Sequence, residues 1–255
     1  MAQWLAASGF PRVSVLAGGL EAWRRAGRPL EAAGDPPAAA AGPAGTRPGL
    51  AGLLPSLAER YLRAGALPAR RRLTTLYVDI AGSTRLLAAH PPETVLRVVQ
   101  RFMHLVTEVA LAYCGDVKDY AGDGALLYFE AVADGARAAL AIRDALAAGC
   151  CDVGNASVPV VTARMSLTVG DVVLGPVGTA VRHALALVGP SVSVGARLLK
   201  QGEPGSLLAT GEVVEALARE APDLAAEFRL LDPAFDVPGA DGMTVAVWGA
   251  TPAEA

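Results

Sequence analysis

Little in this chain suits zinc or disulfide chemistry. Three cysteines occur in 255 residues, and Cys114, Cys150 and Cys151 show no metal-ligand spacing. The adjacent pair Cys150-Cys151 is poorly placed for a disulfide or a zinc site, so a reducing, cytoplasmic setting is expected. Histidine is as scarce. His90, His104 and His183 have no partner at metal or triad spacing, which leaves no histidine-based mechanism. No apolar run approaches the roughly 18 to 20 residues of a membrane helix. No basic start followed by an apolar core opens the chain, so neither a membrane span nor a signal peptide is expected. Positive charge is not in excess either. The formal net charge is -3, so no global basic field recruits nucleic acid. The run Arg70-Arg71-Arg72 reads as a solvated stop before a strand.

What is abundant is apolar material, 53 % of the chain, much of it alanine, which suits helix-rich packing. The chain divides by composition. Residues 1–31 read helix, strand, helix, and GFPRVSVLAGGLEAWRRAGRPL resembles the last strand and helix of a rhodanese domain. That resemblance covers about the last quarter of such a domain, which implies a truncated fragment. A rhodanese carries sulfur on a cysteine upstream of this segment, and no cysteine precedes Cys114 here, so no sulfurtransferase activity is implied. Residues 32–49, rich in Ala, Pro and Gly without periodicity, read as a linker. Residues 50–70 read as a connector with an amphipathic helix, either covering the next domain or transmitting a signal to it.

Residues 71–250 alternate strands and helices in the order β, α, β, β, α, β, α, β, α, β, β. LTTLYVDI is a strand of β-branched and aromatic residues. ETVLRVVQRFMHLVTEVALAY is a long helix entered through Pro91-Pro92, with Leu96, Val99, Phe102, Met103, Val106 and Val109 facing inward. DVKDYAGDGALLYFE is a hairpin turning around Gly122-Asp123-Gly124. The pattern predicts a ferredoxin-like α+β fold, in which a mixed, mainly antiparallel sheet carries helices on one face.

Two carboxylates stand out. Asp79 ends an apolar strand and is followed by a Gly82-Ser83-Thr84 turn into a helix, where outward backbone N–H groups from Ala81 to Thr84 favour an anion. Asp123 sits in the hairpin turn. Two such carboxylates can share divalent cations with phosphate oxygens. Taken singly, Asp79 also suits a helix cap and Asp123 a turn.

Taken together, YVDIAGSTRLL, the GDG hairpin and GDVVLGPVGTAVRHALALVGPSVSVGARLL resemble the class III nucleotidyl cyclases over about residues 50–250. The resemblance implies a cyclase fold that pairs head to tail, as a homodimer or a heterodimer with another cyclase domain. It implies closure of a nucleoside triphosphate, ATP or GTP, to a 3′,5′-cyclic monophosphate with loss of pyrophosphate, using two Mg²⁺ or Mn²⁺ ions. Asp79 and Asp123 take the metal places, and Ile80 lends a backbone carbonyl. Gly82, Ser83 and Thr84 take the triphosphate-loop places, and Arg164 that of a basic residue that contacts the phosphates. Arg197 takes the place of the arginine that stabilises the transition state, reaching in from the partner subunit. Ser193 stands where the family orients the ribose with asparagine.

The departures from the family pattern cluster by role. The base-reading lysine place, four residues before Asp123, holds Asp119. Lys118 is adjacent, but on a regular strand it faces the other way unless a one-residue bulge turns it. The second base-reading place is Ala186. DVPGADGM, where a late phosphate-binding lysine belongs, contains none. Ser166 and Thr168 replace the usual glycine and histidine and read as packing changes. Four readings remain open: a cyclase with altered base choice, a weakly active or inactive nucleotide-binding module that regulates by dimerising, one half of a heterodimer, or a ferredoxin-like interaction domain with structural aspartates.

Overall fold

A computed structural model describes residues 67–151, 160–178 and 183–250. The readings of residues 1–31 and 32–49, and of the connector up to residue 66, lie outside these residues. Residues Ala69–Ile80 form β1, an interior strand of the sheet, whose second half, Thr75 to Ile80, alternates polar or aromatic with aliphatic side chains and so gives the sheet two different faces. Strand β1 begins two residues before the expected domain start. The arginine run therefore belongs to it, with Arg70, Arg71 and Arg72 paired to Val173, Val172 and Asp171 of a later strand. These arginines are exposed at the strand's start.

After β1 come a short helix α1 (Ser83–Ala89) and the long helix α2 (Pro92–Ala112). The hairpin β2 (Asp116–Ala121) and β3 (Gly124–Phe129) turns on Gly122-Asp123. Gly122 takes φ 65°, a left-handed value that glycine adopts without steric cost and that two-residue hairpin turns require. Helix α3 (Val132–Ala147) leads to the long strand β4 (Ala163–Gly178) and its hairpin partner β5 (His183–Val188). Helix α4 (Pro190–Leu199), β6 (Leu207–Thr210), α5 (Gly211–Glu220), the single turn α6 (Pro222–Ala225), β7 (Phe228–Asp236) and β8 (Thr244–Ala250) follow.

The eight strands form one sheet in the order β2-β3-β1-β4-β6-β8-β7, with β5 added to β4. Every pairing is antiparallel except β4 with β6. The order β4-β1-β3-β2 around β1, α2 and α3 is the split β-α-β arrangement, so the predicted fold class stands. Strand β5 is additional to the predicted elements: HALALV follows a Gly- and Pro-containing stretch and pairs only with the outer half of β4.

One face of the sheet carries the main core. Leu76, Val78 and Ile80 of β1, Leu127 and Phe129 of β3, and Met165 and Leu167 of β4 pack against Val98, Phe102 and Val106 of α2, Ala139 and Ile142 of α3, and Val213 and Leu217 of α5. The structure departs from expectation at two points here. Leu96, expected inward, is 66 % exposed, because α2 buries the stripe Thr94, Val95, Val98, Phe102, Val106 and Ala110, about 100° round the helix from Leu96. Helices also do not keep to one face, since α4 packs on the opposite side. Gly195 of α4 lies so close to β1 that a Cβ there would stand 3.1 Å from the Tyr77 ring.

Candidate active site

The site is built at the end of the α4-covered face where β1 stops. In the register of β1, Asp79 pairs with Gly124 of β3 and Arg164 of β4, and directly opposed residues share a face. Tyr77, Leu126 and Ser166 form the next row on that face, and Thr75, Tyr128 and Thr168 the one after. The hairpin turn closes onto β1 through the N–H of Ile80, which donates to the Asp123 carbonyl at 3.3 Å. Two aspartates far apart in sequence thus become neighbours. The charge of Asp123 is close enough to act on the Asp79 carboxyl.

Asp79 is half-buried. Burial pushes its pKa above the ordinary value, the charge of Asp123 pushes it further, and Arg164 opposes both. The Arg164 Nη2 donates to Asp79 Oδ2 at 2.6 Å, with side chains 31 % and 21 % exposed. The Nε of Arg164 is buried and has no acceptor among the described residues. Two converging carboxylates and one partly satisfied guanidinium suit a divalent cation together with an anionic ligand.

The loop after Asp79 differs in one respect from expectation. The Ala81 N–H points not outward but to the Thr162 carbonyl at 2.9 Å, which ties the start of β4 to the end of β1. Gly82 takes φ 74° at the N-cap of α1, and its carbonyl accepts from the N–H groups of Arg85 and Leu86. The N–H groups of Gly82, Ser83 and Thr84 have no backbone acceptor among the described residues. Ile80 buries its side chain in the core and pairs with Ala163.

Strand β2 carries the bulge that a shifted lysine requires. Val117 pairs with Leu127 and Asp119 with Leu126, so Lys118 is the inserted residue. Asp119 therefore lies in the Tyr77–Leu126 row, on the Asp79 face. The Lys118 ammonium meets its carboxylate at 3.1 Å, with the lysine side chain only 18 % exposed. A regular strand would have put these two groups on opposite faces.

Ser193 and Arg197 form a second group, on α4. The helix is fixed to the sheet by two hydroxyls: Ser166 Oγ donates to the Gly195 carbonyl at 2.8 Å, and Thr168 Oγ1 to the Ser191 carbonyl at 3.0 Å. Thr168 is itself bonded to Thr75 at 2.8 Å. The replacements at Ser166 and Thr168 are thus packing and anchoring residues. Their role is visible in the sequence as polar side chains at alternate positions of an apolar strand. The guanidinium of Arg197 donates to the Ser193 hydroxyl and, at 3.1 Å, the Ser193 carbonyl. It also donates to the Pro238 carbonyl in the loop between β7 and β8. Among the described residues no hydrogen bond or ion pair joins this group to Asp79, Asp123 or Arg164.

Solved structures share this architecture. The adenylyl cyclase CyaB from P. aeruginosa superposes with a TM-score of 0.63 at 20 % identity, over 73 % of this chain and 96 % of that one. The guanylate cyclase domain of RhGC from Catenaria anguillulae, solved with GTP, gives 0.61 at 15 % identity, over 73 % and 100 %. A bacterial light-regulated adenylyl cyclase gives 0.66 at 22 % identity, over 79 % and 59 %. The fold is that of nucleotide cyclase catalytic domains. In sequence, an uncharacterised protein of Mycobacterium tuberculosis is 31 % identical over 159 residues, 59 % of this chain and 28 % of its own length. A second from the same organism is 33 % identical over 155 residues, 57 % and 28 %. The chain spans under a third of the length of these curated relatives. No family model matches it. Among the described residues no helix is long and apolar enough to cross a membrane.

Proposed function

We propose that residues 71–250 act as a nucleotide cyclase domain. It converts a nucleoside triphosphate, ATP in the first instance, to its 3′,5′-cyclic monophosphate and pyrophosphate at a site shared between two chains. The observation that carries this reading is the meeting of Asp79, Asp123 and Arg164 at one end of a cyclase-type sheet. The ribose 3′-oxygen attacks the α-phosphorus, the bond from that phosphorus to the bridging oxygen of the β-phosphate breaks, pyrophosphate leaves with the electron pair, and the hydroxyl proton passes to solvent.

Two Mg²⁺ or Mn²⁺ ions, when bound, supply activation of the hydroxyl and neutralisation of the triphosphate. Asp79, Asp123 and the Ile80 carbonyl would hold them. The N–H groups of Gly82, Ser83 and Thr84 and the guanidinium of Arg164 bind the phosphates. Ser193 orients the ribose, and Arg197 of a second chain meets the charge that develops at the α-phosphate. The bulge supports a role for Lys118 with Asp119 in reading the base, while Ala186 has no side-chain hydrogen bond to give. No lysine stands in the loop between β7 and β8; that loop instead accepts hydrogen bonds from Arg197.

A second reading, a weakly active or inactive nucleotide-binding module that regulates by dimerising, draws support from that loop. Arg197 is held there by its own chain. The test is a product assay on the full chain with Mn²⁺ or Mg²⁺ and each of ATP, GTP, CTP and UTP. Cyclic product that disappears in Asp79→Ala and Asp123→Ala upholds the first reading. Metal-dependent nucleotide binding without turnover upholds the second, and turnover only on adding another cyclase domain indicates a heterodimer. Absence of both metal and nucleotide binding overturns all three.

A further inference from the structure

Asp79 and Asp123 bring two acidic groups to one half-buried place, and the structure already balances them with a cation of its own. Arg164 is the direct cross-strand partner of Asp79 on β4. Its Nη2 reaches Asp79 Oδ2 at 2.6 Å, the distance of a charge-assisted bond. The backbone behind it is fixed: the Met165 N–H donates to the Ser206 carbonyl, and the Gly205 N–H to the Ala163 carbonyl, both at 2.9 Å. The guanidinium is therefore delivered to Asp79 by the sheet register.

Arg164 is nonetheless incompletely satisfied. Its Nε is buried without an acceptor, and a buried donor left unpaired is unfavourable. The guanidinium is bound to Asp79 on one side and lacks an acceptor at Nε. A phosphate oxygen fits that need, because guanidinium and phosphate make bidentate pairs.

We infer that Arg164 is the resident counter-cation of the metal site and is exchanged when ligands arrive. This rests on the cyclase reading above. A divalent ion on Asp79 competes with the guanidinium for the same carboxylate and repels it. Metal alone binds against that competition. A triphosphate gives the displaced guanidinium a new acceptor, so metal and triphosphate strengthen each other's binding, and the coupling is reciprocal. Each ligand alone is held poorly; the two together are held well.

The two halves of this exchange respond to mutation with opposite signs. In Arg164→Gln the competitor is gone, so Mn²⁺ alone, followed by the loss of its free paramagnetic signal, binds about fivefold or more tightly than to wild type. Inorganic tripolyphosphate added with saturating Mn²⁺ binds more weakly, by about tenfold, as expected for one lost charged contact. Arg164→Lys keeps the charge with shorter reach and a single-point donor, and falls between the two on both measurements. If Arg164→Gln does not fold by thermal melting, Arg164→Lys carries the test alone. Mn²⁺ affinity equal to or below wild type in every variant that folds overturns the exchange while leaving the cyclase reading intact. No Mn²⁺ binding by the wild type or by either folded variant overturns both.

Discussion

Gly124 faces Asp79 across the β1–β3 pair, and its missing side chain makes room for that aspartate. A Cβ at Gly124 would lie 3.0 Å from the Val78 carbonyl and 3.1 Å from Asp79 Oδ1. Backbone yields little, so an added methyl displaces the Asp79 carboxylate. Gly124→Ala is expected to cost about 1–3 kcal/mol of stability, the usual range for overpacking a tight site, and to weaken Mn²⁺ binding. Urea unfolding and Mn²⁺ titration check the two effects separately. An unchanged Mn²⁺ affinity would show that the contact does not shape the site.

The raised pKa of Asp79 gives a pH dependence of definite sign. Burial is the largest cause, followed by the charge of Asp123, with Arg164 opposing. The folded protein takes up this proton at a higher pH than the unfolded chain. The resulting stability is fully present below the ordinary value of 3.8 and is lost as pH rises through the raised folded value. Wild type should therefore gain stability relative to Asp79→Asn as metal-free buffer is acidified through this interval. Mn²⁺ affinity should run the other way, since carboxylate ligands must be ionised. Urea midpoints of the two proteins against pH, with Mn²⁺ titrations of wild type, test both directions. A stability difference that stays flat with pH would contradict the assignment.

What is legible in the sequence is local. The strand ending in Asp79 and the turn holding Asp123 follow from β-branched runs and a Gly-Asp-Gly turn, and both signals lie within a few residues. The Asp79–Arg164 pair is not legible, because it depends on the register between β1 and β4, which packing of the whole sheet decides. The bulge at Lys118 is legible only as a requirement: composition does not say where a strand gains a residue. The inward face of α2 differs from expectation at Leu96 because two stripes on that helix satisfy a 3.6-residue repeat. Only the position of the sheet selects Val95, Val98 and Phe102. The β5 strand gives a weak signal because it pairs beyond the main sheet path.

The cysteines should divide by reactivity. Cys114 and Cys150 are exposed and Cys151 is buried. Burial, with a smaller push from Cys150 and against a pull from Arg101, raises the Cys151 pKa to about 11. At pH ~8 only about one Cys151 in a thousand is then thiolate, the nucleophilic form. Brief iodoacetamide treatment of the native protein should label Cys114 and Cys150 and spare Cys151, while treatment in urea labels all three. Peptide mass spectrometry reads the pattern, and early native labelling at Cys151 would mean that the α3 end opens readily.

Arg197 links α4 to the loop between β7 and β8, and that link makes its structural and chemical roles separable. The loop is tightly folded on itself: the Val237 N–H donates to the Met243 carbonyl at 2.9 Å, and the Met243 N–H to the Ala240 carbonyl at 2.9 Å. Gly239 and Gly242 adopt φ 71° and 74°. Arg197 ties that loop to α4 by its side chain, through the Pro238 carbonyl. If its chief role is to hold the loop, Arg197→Ala should speed hydrogen exchange at the 237–243 amides, and Arg197→Lys should restore much of the protection. If it also meets charge at the α-phosphate, loss of the guanidinium costs turnover by about a hundredfold or more, and lysine restores little, since a single-point ammonium does not reproduce a planar fork. The lysine variant therefore decides the question. Protection regained without turnover assigns both roles to Arg197, whereas protection and turnover regained together reduce it to a loop anchor and leave the transition state to other residues.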